Sequence, residues 1–298
     1  MAAERELAGV IRAISAYEPV WLLTPRDKIP DAKARFSGRK VEVIEAPVDD
    51  IWMRDIAPIL AFRRDKLVSI DFNFNAWGAT RKPRAGDRLA GLGAAIFGWT
   101  SVRTSIVAEG GSFIGDGQGT IFTTESCLLN PNRNPSRTKS HIEDAFRAVG
   151  ATSVIWLHGD EREPVTSGHI DGFLLLGPSS HVLAQVAVSR RDFQWQSGLL
   201  RLRTAGGVIG CAMSIHKILQ PRTKYLLRSS LSAPCYVNAY IANGGVVAPA
   251  FGDPERDESA RRIMTAVFPE HKIEMVRIDH IASGGGGIRC LTQPVPAV

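Results

Sequence analysis

Four stretches of the chain alternate apolar and polar positions with a period of two, and each then turns back on itself. IAPILAFRRDKLVSIDF, GSFIGDGQGTIFTT, DGFLLLGPSSHVLAQV and YVNAYIANGGVVAP each read as a β-hairpin, because strand side chains point to alternate faces and the turn residues supply the reversal. The second turns at Asp116-Gly117 and the fourth near Asn243-Gly244, both strong hairpin signals. Elsewhere the apolar spacing is helical. Leu7, Val10, Ile11 and Ile14 form one stripe near the start. A second helix over 138–149 buries Ile142, Ala145, Phe146 and Val149 and stops at Gly150. A third carries Ile263, Met264 and Val267 inward, with Asp257 as its expected cap. Strand-like SVIWLH and KIEMVRI follow the last two helices, so the unit reads hairpin, helix, strand.

The units recur. Asp55, Glu109, His169, Tyr236 and Cys290 stand at the mouths of successive hairpins, spaced 54, 60, 67 and 54 residues apart by number. Such a period suggests a ring or propeller of like modules whose corresponding ends converge on one axis. No low-complexity linker interrupts residues 1–298, so one α/β domain is expected. The fifth unit is short: after Cys290 only LTQPVPAV remains, enough for one strand, and a partner strand would have to come from the N-terminus.

Composition narrows the classes. With 44% apolar and 22% charged residues the chain is of soluble globular type. No apolar run approaches the roughly 20 residues that span a bilayer, and the first twenty residues lack a signal peptide's apolar stretch. A cytoplasmic protein without membrane association is expected. The net charge of +6 comes from scattered arginines without a dense basic run, so nucleic acid is not an expected partner. Cys127, Cys211, Cys235 and Cys290 are far apart and form no CxxC, which argues against a zinc site or a disulfide framework.

Four glycines, Gly284 to Gly287, stand just ahead of Cys290 in GGGGIRC. Either this is a flexible turn beside a small buried residue, or it is backbone without Cβ atoms so that something can come close to the thiol. The other candidates are Asp55 in DDIWMRDIAP, Glu109 in AEGGSF, and His169 with Asp171 in TSGHIDGF. On a strand, His169 and Asp171 would share a face. That is half of a metal site, but no second cluster at ligand spacing completes it. Three carboxylates and an imidazole around a thiol call for a cation. A planar guanidinium fits, since its paired N–H donors match carboxylates and leave the central carbon open to a thiolate.

WMRD, AEGGSFIGDGQGTIFTTESCLLNPNRNP, GHID, YVNAYIANGGVVAPAFGDP and GGGGIRCLTQ, in this order and from about residue 17 onward, resemble the agmatine deiminases of the guanidine-modifying superfamily. The resemblance implies the five-bladed α/β propeller of the pentein fold. It also implies Cys290 as nucleophile, His169 as general acid and base, Asp55 and Asp171 as guanidinium ligands, and Glu109 as the partner of His169. Agmatine would become N-carbamoylputrescine, a step toward putrescine in polyamine metabolism, through a covalent thiouronium and without metal or organic cofactor. Trp52 and Gly287 would line the substrate pocket. Alternatives are a deiminase of arginine or an arginine derivative, an amidinotransferase, and an inactive pentein binding module.

The chain departs from the family pattern at three positions: Ser167 for Asp, Arg289 for His, and Pro294 for Gln. The family's N-terminal strand is also not visible, so either the start lies further upstream or a second subunit covers the exposed sheet edge as a homo-oligomer. Arg289 and Ser167 either favour a guanidine that carries a carboxylate, or Arg289 points outward into solvent.

Overall fold

All four hairpins read from the alternation are present in the computed structural model, which describes residues 2–187, 193–205 and 212–296. Helix α1 (Ala2–Ile14) precedes β1 (Val20–Thr24), α2 (Ile29–Arg35) and β2 (Val41–Glu45), and β1 and β2 pair in parallel. Strands β3 (Ile59–Arg63) and β4 (Lys66–Asp71) form the first hairpin, followed by α3 (Leu89–Phe97) and β5 (Thr100–Arg103). The second unit is β6 (Phe113–Gly115), β7 (Thr120–Thr124), α4 (Lys139–Ala148) and β8 (Ser153–Leu157). The third is β9 (Leu174–Leu176), β10 (His181–Val186), α5 (Phe193–Ala205) and β11 (Ser214–Leu219). The fourth is β12 (Tyr240–Ala242), β13 (Gly245–Ala250), α6 (Pro254–Val267) and β14 (Lys272–Arg277).

In each of these four units the second hairpin strand lies in the middle, antiparallel to the first and parallel to the strand after the helix. Among the described residues the β1–β2 sheet has the helix crossover and parallel pair but no hairpin partner. LTQPVPAV does not supply that partner. Among its described residues, 292–296, none is in a strand, and Arg289–Leu291 form a 3₁₀ turn instead.

Three of the helices labelled above escaped the apolar spacing, α2, α3 and α5. In α3, LAGLGAAIF, glycines replace side chains on the packed face: a Cβ on Gly93 would meet Ser69 Oγ at 3.2 Å and Pro58 at 3.3 Å. The helix is bought at the expense of propensity so that it can lie close on β4. The SRRDFQWQSGLLRLR segment falls partly outside the described residues, as does Cys211.

The cap of α6 is Asp253, whose side chain accepts from Arg256 N, with Pro254 opening the helix. Asp257 is not that cap: it accepts from Tyr236 Oη at 2.7 Å and from the Phe251 and Gly252 amides. Capping falls to Asp253 because Asp257 is already inside the helix, in its first turn. Tyr236 is fully buried and serves the core. Around it, α1 contributes Val10, Ala13 and Ile14 to the apolar cluster of Val246, Val247 and Met264, so the N-terminal helix seals the last unit.

Candidate active site

The hairpin mouths open onto one cavity of about 700 Å³, whose wall includes Trp52, Asp55, His169, Asp171, Gly287 and Cys290. Side chains from residues 52 to 290 therefore do converge. Glu109 lies behind that wall, 1% exposed.

Asp55 sits in the short helical turn Met53–Ile56. Both of its oxygens accept: Oδ2 from Trp77 Nε1 at 2.9 Å and Oδ1 from the Gly111 amide at 2.9 Å. Trp77 reaches it from a left-handed backbone position, φ 55°. Burial raises the Asp55 carboxyl to about 6, and the Glu109 and Asp171 charges add to the rise against the opposing effect of His169.

His169 and Asp171 do not lie on a strand. Asp171 belongs to a 3₁₀ turn, Ile170–Gly172, with His169 at its entry, so the turn and not strand alternation brings both to the cavity. His169 Nε2 meets Glu109 Oε1 at 3.0 Å. A Cβ on Gly111 would stand 2.3 Å from His169 Nδ1, so glycine is required there. Burial alone would lower the imidazole, but Asp55 and the bonds to Cys127 and Glu109 outweigh it and raise it well above its usual value. These partners favour the protonated imidazole.

Glu109 receives more than the histidine. Arg133, fully buried, donates to the same Oε1 from Nε at 2.8 Å and Nη2 at 2.7 Å. Burial works against the ionised Glu109, but the His169 bond and the Arg133 charge hold it below the usual carboxylate range. The arginine is itself held by Thr166 O and Asn132 Oδ1. Asn130, Asn132 and Asn134 make loop hydrogen bonds; Asn134 clasps the Val107 backbone on both sides.

Cys290 is held by Asn238. Its amide donates to Asn238 Oδ1 at 3.2 Å, and its Sγ lies 3.4 Å from that oxygen and 3.9 Å from Asp171 Oδ2. The glycine run serves these partners more than the thiol itself. A Cβ on Gly287 would strike Asn238 Oδ1 at 2.6 Å, and one on Gly286 would strike the Trp52 ring at 2.3 Å. Trp52 thus forms cavity wall on one side while it packs against the core on the other. Burial, then Asp171 and Asp55, raise the Cys290 thiol well above its usual value.

Cys127 is more than a small buried hydrophobe. Glu109, Cys127 and His169 place ligand atoms within 4.8 Å of one another, a grouping that chain spacing hid. Arg133 already lies on Oε1 of this glutamate, so the Glu109 charge is matched there by a buried guanidinium. Cys235 is buried, its thiol pushed up to about 12 by burial.

Arg289 does not point into solvent. Its side chain is 13% exposed and Nη1 donates to Asp171 Oδ2 at 3.1 Å and to Gly110 O at 3.3 Å. Arg289 and Ser167 both stand outside the cavity wall. Ser167 Oγ faces Asn130 and Arg133. Neither is placed to meet a substrate carboxylate, and that expectation is withdrawn.

The family described as Porphyromonas-type peptidyl-arginine deiminase matches residues 1–296. The chain belongs to this family. The agmatine deiminase of Stutzerimonas stutzeri is 35% identical over 99% of this chain and 88% of its own length. That of Pseudomonas aeruginosa is 33% identical with the same coverage. Among solved structures, the agmatine deiminase of Enterococcus faecalis superposes with a TM-score of 0.88 at 27% identity, over 97% of this chain and 86% of that one. The similarity therefore spans the deiminase fold nearly end to end, and this α/β chain takes its place among the pentein proteins. No helix among the described residues is long and apolar enough to cross a membrane.

Proposed function

We propose that this protein hydrolyses the guanidine of agmatine to a ureido group, with release of ammonia, through a covalent intermediate on Cys290. The observation that carries the reading is the convergence of Cys290, His169, Asp55 and Asp171 on one cavity, in a chain of the agmatine deiminase family. The five sheets are then the blades of a pentein propeller, with β1–β2 as the incomplete blade.

Asp55 and Asp171 would hold the guanidinium through charge-assisted hydrogen bonds. The arriving cation would offset the two carboxylates that keep the Cys290 thiol protonated, so the thiol gives up its proton to solvent and the nucleophile forms when substrate is present. The thiolate bonds to the central carbon; His169, as the imidazolium, passes its proton to the departing nitrogen as the C–N bond breaks. The thiouronium remains. His169, now neutral, takes a proton from water as the water oxygen bonds to the same carbon; the C–S bond then breaks and the hydroxyl proton of the product passes to the departing sulfur, which leaves a ureido group and the resting thiol. Glu109 holds the imidazole through Nε2. No step calls on a cofactor, and the cytoplasm is the proposed setting.

Mass spectrometry of agmatine and of arginine after incubation, beside Cys290→Ala, tests the reading. Deimination replaces NH by O, a gain of about one mass unit, with the covalent step dependent on the nucleophile. Agmatine turnover lost in the variant supports the proposal. Turnover only with an added amine and no free ammonia would replace it with an amidinotransferase.

A further inference from the structure

The carboxylate proposed to hold the substrate already carries a guanidinium. Arg289 Nη1 rests 3.1 Å from Asp171 Oδ2, and the same oxygen stands 3.9 Å from Cys290 Sγ. The arginine is locked there: its amide donates to Asn238 O at 3.1 Å, Nη1 also donates to Gly110 O, and its own carbonyl accepts from Arg54 Nε at 3.3 Å. Arg54 is buried with Nη1 on Gln293 Oε1. Burial first, and then the charge of Arg289, pull Arg54 down to about 9, so the second guanidinium is felt throughout this corner of the site.

The three buried carboxylates are unequal as a result. Glu109 is matched by Arg133 and Asp171 by Arg289, while among the described residues the hydrogen-bond donors to Asp55 are neutral, Trp77 Nε1 and the Gly111 amide, and the charges of His169, Arg54 and Arg133 reach it without a guanidinium ion pair. A substrate guanidinium would find Asp55 without a resident guanidinium and Asp171 shared. Around the thiol itself stand Asp171 and Asp55, with Arg54 coupled to it by charge and His169 and Glu109 coupled through Asp55.

We propose that Arg289 is a specificity-determining residue, a resident guanidinium that competes with the substrate for Asp171 Oδ2 and supplies part of the positive charge that stabilises the Cys290 thiolate. It rests on the deiminase reading above. Arg289 thereby weakens ground-state binding of any cationic guanidine and makes the nucleophile less dependent on the substrate's own charge. The chemical class favoured is a guanidine held chiefly by Asp55, with few demands on the second carboxylate.

Two measurements on wild type, Arg289→Gln and Arg289→Lys test it. The first is the pH profile of Cys290 alkylation by iodoacetamide without substrate, read on the Cys290 peptide. Loss of a neighbouring cation should move the Gln profile about one pH unit upward, with Lys close to wild type. The second is agmatine turnover: KM should fall about tenfold in Arg289→Gln while kcat falls at neutral pH. A shared profile in all three proteins, or an unchanged or higher KM in the Gln variant, would overturn the proposal. A shifted profile in protein that turns over no guanidine would remove the deiminase reading and the specificity claim with it. Rescue by Lys separates loss of charge from loss of packing.

Discussion

Arg133 and His169 share one oxygen of Glu109. Arg133 Nη2 lies 2.7 Å and His169 Nε2 3.0 Å from Oε1, while Oε2, also buried, has no hydrogen-bond partner among the described residues. The two cations together hold Glu109 below the usual carboxylate range in a place where burial opposes its ionised form, and Asp55, with the bonds to Cys127 and Glu109, in turn favours the protonated imidazole.

Arg133→Met should therefore damage both fold and chemistry. Removing one partner of a buried pair leaves an uncompensated charge, a loss of about 3–5 kcal/mol, visible as a lower urea midpoint. Glu109 should then take up a proton and the alkaline limb of the kcat/KM profile should shift downward, since His169 loses its anionic partner. A stable variant with a wild-type pH profile would mean that Glu109 does not depend on Arg133.

Gly111→Ala should abolish most activity with little loss of fold. The added Cβ must displace His169 Nδ1, 2.3 Å away, and crowd Asp55 Oδ1 at 3.1 Å. Displacement of this order costs about 100-fold in kcat. Gly117→Ala is the comparison: φ is +76° with nothing near its Cβ, so it should lose about 1 kcal/mol of stability and no turnover.

The titration of Asp55 has a definite sign. Its folded value is raised, from 3.8 to about 6, so its favourable contribution to folding is present below the unfolded value and is lost as pH rises through about 6. Wild-type stability measured against Asp55→Asn should fall by up to about 3 kcal/mol between pH 4 and 7. Over the same range binding moves the other way: KM for a cationic guanidine should rise as pH falls below 6, when Asp55 becomes neutral. A pH-independent stability difference would show that Asp55 titrates normally.

Asn238→Ala should release Cys290. The Cys290 amide and thiol both face Asn238 Oδ1, and a buried amide left without an acceptor costs about 1–3 kcal/mol. Thermal melting should show that loss, together with a fall in kcat of tenfold or more. Unchanged kcat would place Asn238 outside the positioning of the nucleophile.

The legible parts of this molecule were those written in neighbouring residues. Alternation in DGFLLLGPSSHVLAQV identifies a hairpin because a strand sets its own faces within a few residues, and the same holds for α4 from Ile142 to Phe146. Asp257 misled because it is a good capping residue four positions from the true cap, Asp253, and was claimed by Tyr236 from another element. Helix α3 misled because its glycines answer to β4 and not to helical propensity. Arg133, Trp77 and Asn238 carried no mark as single residues. The NPNRNP setting of Arg133 was the one hint, since an arginine flanked by asparagine and proline sits in a turn and can be locked in place.

Chain order alone determined the kind of unit, its repetition, the incomplete fifth sheet, and the set of Asp55, Glu109, His169, Asp171 and Cys290 with the chemistry those groups suit. What tertiary structure decided was charge. Whether Arg289 met solvent, a substrate carboxylate or Asp171 depended on the packing of the final 3₁₀ turn against residues 110 and 238, which are 179 and 51 positions away. Side-chain identity sets what a group can do, but its proton and its partner are set by burial and by charges brought from distant chain, and these exist only once the fold has closed around them.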